Sequence, residues 1–330
     1  MGVLVTGGAG YIGSHMALEL LDAGEDVLVL DNLSTGFRWA VPNGAAFIEG
    51  DVGDSGLVGR LLKEHDIGSI IHFAGSIVVP ESITDPLGYY LNNTCNSRTL
   101  IACAVEAKIP NFIFSSTAAV YGTPEISPVT EDTRLQPISP YGSSKLMTET
   151  MLSDTAKAHP FRFVALRYFN VAGADPKGRS GQSTPRATHL LKVAAEAALG
   201  LRPRLDVYGT DYETPDGTCV RDYIHVTDLV RAHRDAMRYL SEGGESVFLN
   251  CGYGKGYSVL DVIEAVKRIS QTDFPVRLAD RRPGDPPELV AGAERIRDVL
   301  GWEPRLNSLE GIVGDALSWE KHLRQVRAAS

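Results

Sequence analysis

Residues 3–24 read VLVTGGAGYIGSHMALELLDAG. A short apolar run ends in glycines, and a segment of helical periodicity follows, closing at Gly24. Gly7, Gly10 and Gly13 fit GxxGxxG; Gly8, Gly10 and Gly13 fit GxGxxG. Glycine is needed where a turn is tight, where backbone approaches a pyrophosphate and where a helix packs on a strand. The helix then presents free N–H groups to the phosphates. In a chain with 33 glycines such spacing is weak alone. Its setting strengthens it: it follows the first strand, opens the first helix, and Asp31 ends the second strand. An acid there accepts from ribose hydroxyls and repels a 2′-phosphate, which favours NAD over NADP.

Outward from this unit, strand and helix alternate. DVLVLDN, AAFIEGDV, IGSIIHFAG, NFIFSS and RFVALRYFN read as strands; VGRLLKEHD, the long stretch 86–108 and residues 141–159 read as helices. This rhythm predicts an α/β fold, a Rossmann-type doubly wound parallel sheet covered on both faces. After Asn170 it loosens. Residues 171–187 read as a long loop, 187–200 as a helix, and 221–240 as a strand and helix that rejoin the sheet. The expected organisation is an NAD-binding domain over 1–170, rejoined by about 226–250. A smaller discontinuous α/β substrate lobe takes 171–225 and 251–330.

Composition narrows the function. The 330 residues are 43% hydrophobic and 22% charged, a globular balance. No apolar run approaches the roughly 20 residues of a membrane span, and the early position of VLVTGG leads to the expectation of no cleavable leader. Cys95, Cys103, Cys219 and Cys251 are scattered, without metal spacing, as in a reducing cytoplasm. A formal charge of −9 without a basic stripe argues against nucleic acid, while a small anion needs only two or three local cations.

SPYGSSKL, residues 139–146, places Ser139 and Pro140 at a helix start, with Tyr141 in the first turn and Lys145 one turn on. A cation about 5 Å from a phenol, at an effective dielectric near 20, favours the phenolate by roughly 3 kcal/mol, or about two pKa units. Tyr141 is then a candidate general base. FIFSSTAAVYG adds Ser115, Ser116 and Thr117 at the C-terminal edge of a strand, where ligands gather in open α/β sheets.

TGGAGYIGSH, LDNLSTG, EGDV, HFAG, FSSTAAVYG, SPYGSSKLMTE, LRYFNVAGA, GTCVRDYIHVTDL and RRPGDPP occur in order. Together they resemble the UDP-glucose 4-epimerase family of extended short-chain dehydrogenase/reductases, from Val3 to about Trp319. The resemblance implies Tyr141 as base, Lys145 as its partner and nicotinamide-ribose ligand, and Thr117 where many members have serine. For NAD it implies Gly7, Gly10, Tyr11, Ile12 and Gly13 at the pyrophosphate, and Asp31, Asn32, Thr35 and Gly36 at the adenosine ribose. Asp51 and Val52 fall at the adenine edge, and Phe73, Ala74, Gly75, Asn93, Ser115, Tyr168 and Phe169 along the remaining wall. For the UDP-hexose it implies Asn170, His189, Leu190, Tyr208, Arg221, Arg282 and Asp285, with arginine suited to phosphate. Two positions depart: Ile77 stands where members often have lysine, and Leu289 where a tyrosine excludes N-acetylhexosamines.

The implied activity is NAD-dependent interconversion of UDP-glucose and UDP-galactose through a transient 4-keto sugar, in a homodimer paired through helices near 86–107 and 140–158. Alternatives are a 4-epimerase acting on UDP-GlcNAc/UDP-GalNAc or a UDP-pentose, a 4,6-dehydratase, and a non-catalytic NAD-binding sensor. Ala118 and Ala119 after Thr117 argue against the dehydratase, which carries an acidic pair there. Retention of Tyr141 and Lys145 argues against the sensor.

Overall fold

A computed structural model describes residues 1–184, 188–282 and 284–329. Residues 185–187 of the long loop and Pro283 of RRPGDPP lie outside them. The first half runs β1 (Gly2–Thr6), α1 (Tyr11–Asp22), β2 (Val27–Asp31), β3 (Ala46–Glu49), α2 (Ser55–Glu64), β4 (Ile67–His72), α3 (Val79–Thr84), α4 (Pro86–Tyr89), α5 (Asn96–Glu106), β5 (Asn111–Thr117), α6 (Pro140–Ala158) and β6 (Arg162–Tyr168). Two short strands and a helix follow: β7 (Asn170–Ala172), α7 (Leu190–Ala198) and β8 (Leu205–Tyr208). The remainder is β9 (Val220–His225), α8 (Val226–Ser241), β10 (Val247–Cys251), β11 (Gly256–Ser258), α9 (Val259–Ser270), β12 (Val276–Ala279), β13 (Glu288–Leu289), α10 (Glu294–Leu300) and α11 (Leu309–Ala329).

Seven strands form one parallel sheet in the order β10-β6-β5-β4-β1-β2-β3. The order reverses between β1 and β4, and open α/β sheets bind ligands at such a switch point. Both faces are buried. Val3 and Val5 of β1 pack with Met16, Leu20 and Leu229 on one side, and Leu4 packs with Val58, Leu61 and Leu100 on the other. Each fully buried aliphatic side chain contributes about 1.5–3 kcal/mol, so two-sided cover, not strand propensity, holds these short segments in place.

The reading of 221–240 as a return to the main sheet is half corrected. β9 joins a second sheet with β7, β11 and β13, and it is α8 and β10 that come back to the first. RFVALRYFN is likewise not one strand. β6 ends at Tyr168, the chain passes through Phe169, and Asn170 opens β7 against β9. The long helix over 86–108 is continuous but carries a π-helical segment, Tyr90–Cys95. There the buried Asn93 side chain turns inward to Ser76 and Ser144, and side-chain insertions of this kind accompany π-bulges near functional sites.

Candidate active site

A cleft of about 500 Å³ lies over the C-terminal ends of the main strands and is closed by the second sheet. Its floor is the turn between β1 and α1. Gly7 has φ +71°, and a Cβ there would fall 2.6 Å from the Ala74 nitrogen; at Gly13 it would fall 2.1 Å from the Gly7 carbonyl oxygen. The loop is thus packed shut against the end of β4 with no room for side chains, and the Tyr11 end of α1 opens onto the cleft. A tight, side-chain-free cradle at a helix N-terminus fits a dinucleotide pyrophosphate.

Asp31 is buried at the end of β2. Its Oδ2 accepts the Ala9 N–H at 2.9 Å and its Oδ1 the Leu33 N–H at 2.8 Å. Each oxygen keeps a lone pair for a ribose hydroxyl. Asn32 donates to Asp51 Oδ2 at 2.8 Å, tying the β2 and β3 ends into one wall. Tyr11, Ile12, Thr35, Val52, Phe73, Ala74, Gly75, Ser115, Tyr168 and Phe169 also line the cleft. Gly36 and Asn93 stand back from it. Gly36 lets its loop approach Ala9, where a Cβ would meet backbone at 2.8 Å. Asn93 acts from behind, its Oδ1 accepting the Ser76 N–H at 2.7 Å. This lining fits NAD: the glycine turn has the shape a pyrophosphate needs, and the carboxylates have the acceptors that ribose hydroxyls need.

At the other end of this half, Ser139 caps α6 by accepting the Gly142 N–H at 3.2 Å, and Pro140 takes the first helical position. Tyr141 and Lys145 are both buried and both line the cleft. The ammonium donates to the Ser115 carbonyl at 2.9 Å and lies 4.9 Å from the centre of the Phe114 ring. Burial lowers the Lys145 pKa to about 8, partly opposed by Glu149. The Tyr141 phenol is pushed up, not down: desolvation raises it, and the neighbouring Thr117 hydroxyl only offsets part of that. This corrects the sequence-based electrostatics. Both groups pay desolvation, and the lysine is directed at a carbonyl, so the chain alone does not ionise the phenol.

Behind the pair lies a buried polar network. Arg167 donates to both oxygens of Glu149, at 2.9 and 2.7 Å, and Ser116 donates to the same carboxylate at 2.5 Å. Glu149 is one turn beyond Lys145 on α6, so this network ties α6 to β5 and β6.

From the second lobe, Asn170, His189, Arg221, Asp285 and Leu289 reach the cleft. Arg221 Nη2 lies 3.9 Å from Asp285 Oδ1, and Arg282 Nε donates to Asp285 Oδ2 at 2.9 Å. Asp285 thereby holds two guanidinium groups. Leu190, Tyr208 and Arg282 do not line the cleft: Leu190 packs into the lobe's core, and Arg282 sits over the half-exposed Tyr208 ring, 4.8 Å from its centre. Gln182, Thr184, Thr188, Ser76, Glu81 and Ile138 line it without having been singled out. Gln182 and Thr184 fall in the Gly/Pro-rich loop, where no periodicity points inward, and Thr188 in the stretch expected to be helical, which precedes the start of α7 at Leu190. Ile77 lines the cleft half-exposed and brings no charge.

A glycine cradle, a buried carboxylate at the end of β2 and a buried Tyr–Lys pair on one cleft mark an α/β enzyme built around a dinucleotide. The chain belongs to the NAD dependent epimerase/dehydratase family, whose sequence profile matches residues 3–252. It is similar to the UDP-glucose 4-epimerase of Azospirillum brasilense, 57% identical over 98% of this chain and 93% of the relative. Among solved structures it superposes on the UDP-glucose 4-epimerase of Brucella ovis in complex with NAD, with a TM-score of 0.93 and 43% identity, covering 96% of this chain and 97% of that one. The UDP-glucose 4-epimerase of Bifidobacterium longum in complex with NAD+ and UDP gives a TM-score of 0.93 at 38% identity, over 98% of both chains.

Proposed function

We propose that the chain is an NAD-dependent isomerase that interconverts UDP-glucose and UDP-galactose at C4. The observation that carries this reading is one cleft holding the dinucleotide cradle, the buried Tyr141–Thr117 pair and the second-lobe cation Arg221. The two sugars differ only in the configuration at C4, whose hydrogen is not acidic, so inversion proceeds through a ketone. Oxidised nicotinamide, when bound, supplies the two-electron acceptor for that step and a positive charge beside the phenol. Tyr141 Oη takes the proton of the sugar 4-hydroxyl and returns it after inversion. Thr117 Oγ1 hydrogen-bonds the reacting oxygen. Lys145, protonated at neutral pH, holds the nicotinamide ribose and stabilises charge on Tyr141. Arg221, steadied by Asp285, grips the diphosphate, while Asn170 and His189 bound the sugar end. A firm grip on UDP and a loose one on the hexose allow the keto sugar to present its other face.

The domain reading goes with this: residues 1–170 with about 226–250 hold the cofactor, and 171–225 with 251–330 hold the nucleotide sugar. Purified protein incubated with UDP-galactose and no added cofactor should form UDP-glucose. Absence of UDP-glucose after reconstitution with NAD overturns the reading.

Leu289 favours a broader substrate range as a second reading. It is buried, lines the cleft and pairs in register with Arg221. A tyrosine there adds bulk beside the sugar. Leu289→Tyr should lower kcat/KM for UDP-GlcNAc at least tenfold, about 1.4 kcal/mol, and leave UDP-glucose within threefold; a substrate panel checks it. Loss on both substrates alike would show that residue 289 is not a gate.

The reading extends to a cytoplasmic homodimer. Leu87 on α4, Leu91 in the π segment and Met147 on α6 are large apolar side chains left exposed on the helices where a second copy would pack. All four cysteines are free, consistent with a reducing compartment, and no described helix is long and apolar enough to cross a membrane. Leu91→Asp should convert a dimer to monomer in light scattering; an unchanged mass sets this face aside.

A further inference from the structure

We propose that Gln182 is a positioning residue: its side-chain amide fixes the tautomer of His189, so that His189 meets the nucleotide sugar as a neutral hydrogen-bond donor. The inference rests on the reading that this cleft takes a UDP-sugar.

Gln182 follows Gly181, which is pinned in two ways. Gly181 bridges Ala174 across the loop, and a Cβ on it would fall 2.3 Å from the Trp319 ring. The Gln182 amide is then oriented by its own backbone neighbour, because its Oε1 accepts the Thr184 N–H at 3.0 Å. With the oxygen end occupied, the NH₂ end faces His189 Nδ1 at 3.4 Å. An amide NH₂ has no lone pair to offer, so Nδ1 has to be the bare, accepting nitrogen. In a neutral imidazole the proton is then on Nε2.

Two features keep the ring neutral. Burial lowers its pKa below the ordinary histidine value. It also sits at the N-cap of α7, where the positive end of the helix dipole opposes an imidazolium. The buried Lys192–Glu320 ion pair lines a small cavity that the ring also borders. Nε2–H has no partner among the described residues, and the ring lines the main cleft. A donor there suits a diphosphate oxygen or a sugar hydroxyl. The opposite tautomer would turn a lone pair toward an anion.

The test begins on the whole enzyme labelled with ¹⁵N-histidine, the His189 signals being identified by their loss in His189→Asn. At pH 7 the wild type should show an unprotonated Nδ1 and a protonated Nε2. The reverse tautomer, or an imidazolium, overturns the proposal. Gln182→Met keeps the length and removes the amide. It should move both ¹⁵N shifts toward averaged values, weaken UDP binding by calorimetry about threefold to tenfold, the scale of one hydrogen bond, and raise KM with kcat little changed. Unaltered shifts and affinity in that variant sink the proposal. If UDP fails to bind the wild type, the reading of the cleft falls, and the ¹⁵N spectrum alone still decides the tautomer.

Discussion

Tyr141→Phe should lower kcat about 10³-fold, within the roughly 10²–10⁴ range of positioned proton transfer. Only the phenolic oxygen is removed. The ring stays buried at the start of α6, where Ser139 and Pro140 set the backbone independently of residue 141. The variant should therefore melt within a few degrees of the parent and bind UDP with similar affinity, because Arg221 and Asp285 lie on other elements. The measurement is turnover of UDP-galactose beside calorimetric UDP binding. A kcat within tenfold of the parent would remove Tyr141 from the proton path. The raised phenol adds a condition: since the chain alone does not ionise Tyr141, the variant's defect should show only in turnover by the cofactor-loaded enzyme.

Glu149→Ala should be the most destabilising of the substitutions considered. The side chains of Arg167 and Glu149 are 3% and 2% exposed. Removing the carboxylate leaves a guanidinium desolvated and unpaired. Breaking a buried pair in this way costs about 3–5 kcal/mol, which for a chain of this size lowers the melting temperature by on the order of 5–10 °C. Ser116 loses its acceptor as well. Glu149→Leu combined with Arg167→Met should recover much of the loss, because apolar isosteres replace the pair without an orphaned charge. Thermal melts of the single and double variants decide it. A single variant as stable as the parent would mean the pair does not hold α6 to the sheet.

What the sequence shows and what it hides divide along the range of the forces. The glycine turn, the Ser139–Pro140 cap and the i, i+4 spacing of Tyr141 and Lys145 are local, and all stand as read. The electrostatics of that same pair depend on burial by other elements, and there the sequence reading had the wrong sign for the phenol. The break at Phe169 was invisible because Tyr168 and Phe169 continue the apolar run of RFVALRYFN without a turn residue, and only pairing with β9 divides it. Asn93 sits inside a helical pattern that conceals its inward turn to Ser76. Gln182 sits in a loop with no pattern at all. Arg282 and Tyr208 were placed by block resemblance, which carries sequence order but not the direction in which a side chain leaves the surface.

The Asp31 carboxylate also bears on redesign. It braces the phosphate loop through Ala9 and the following turn through Leu33, and it is the same group that would face the ribose. Discrimination between the two forms of the coenzyme and stiffness of the binding loop are therefore written into one side chain. Swapping it to admit a 2′-phosphate would slacken the floor on which the molecule rests. A switch of coenzyme in this scaffold calls for a compensating brace, not for a single exchange.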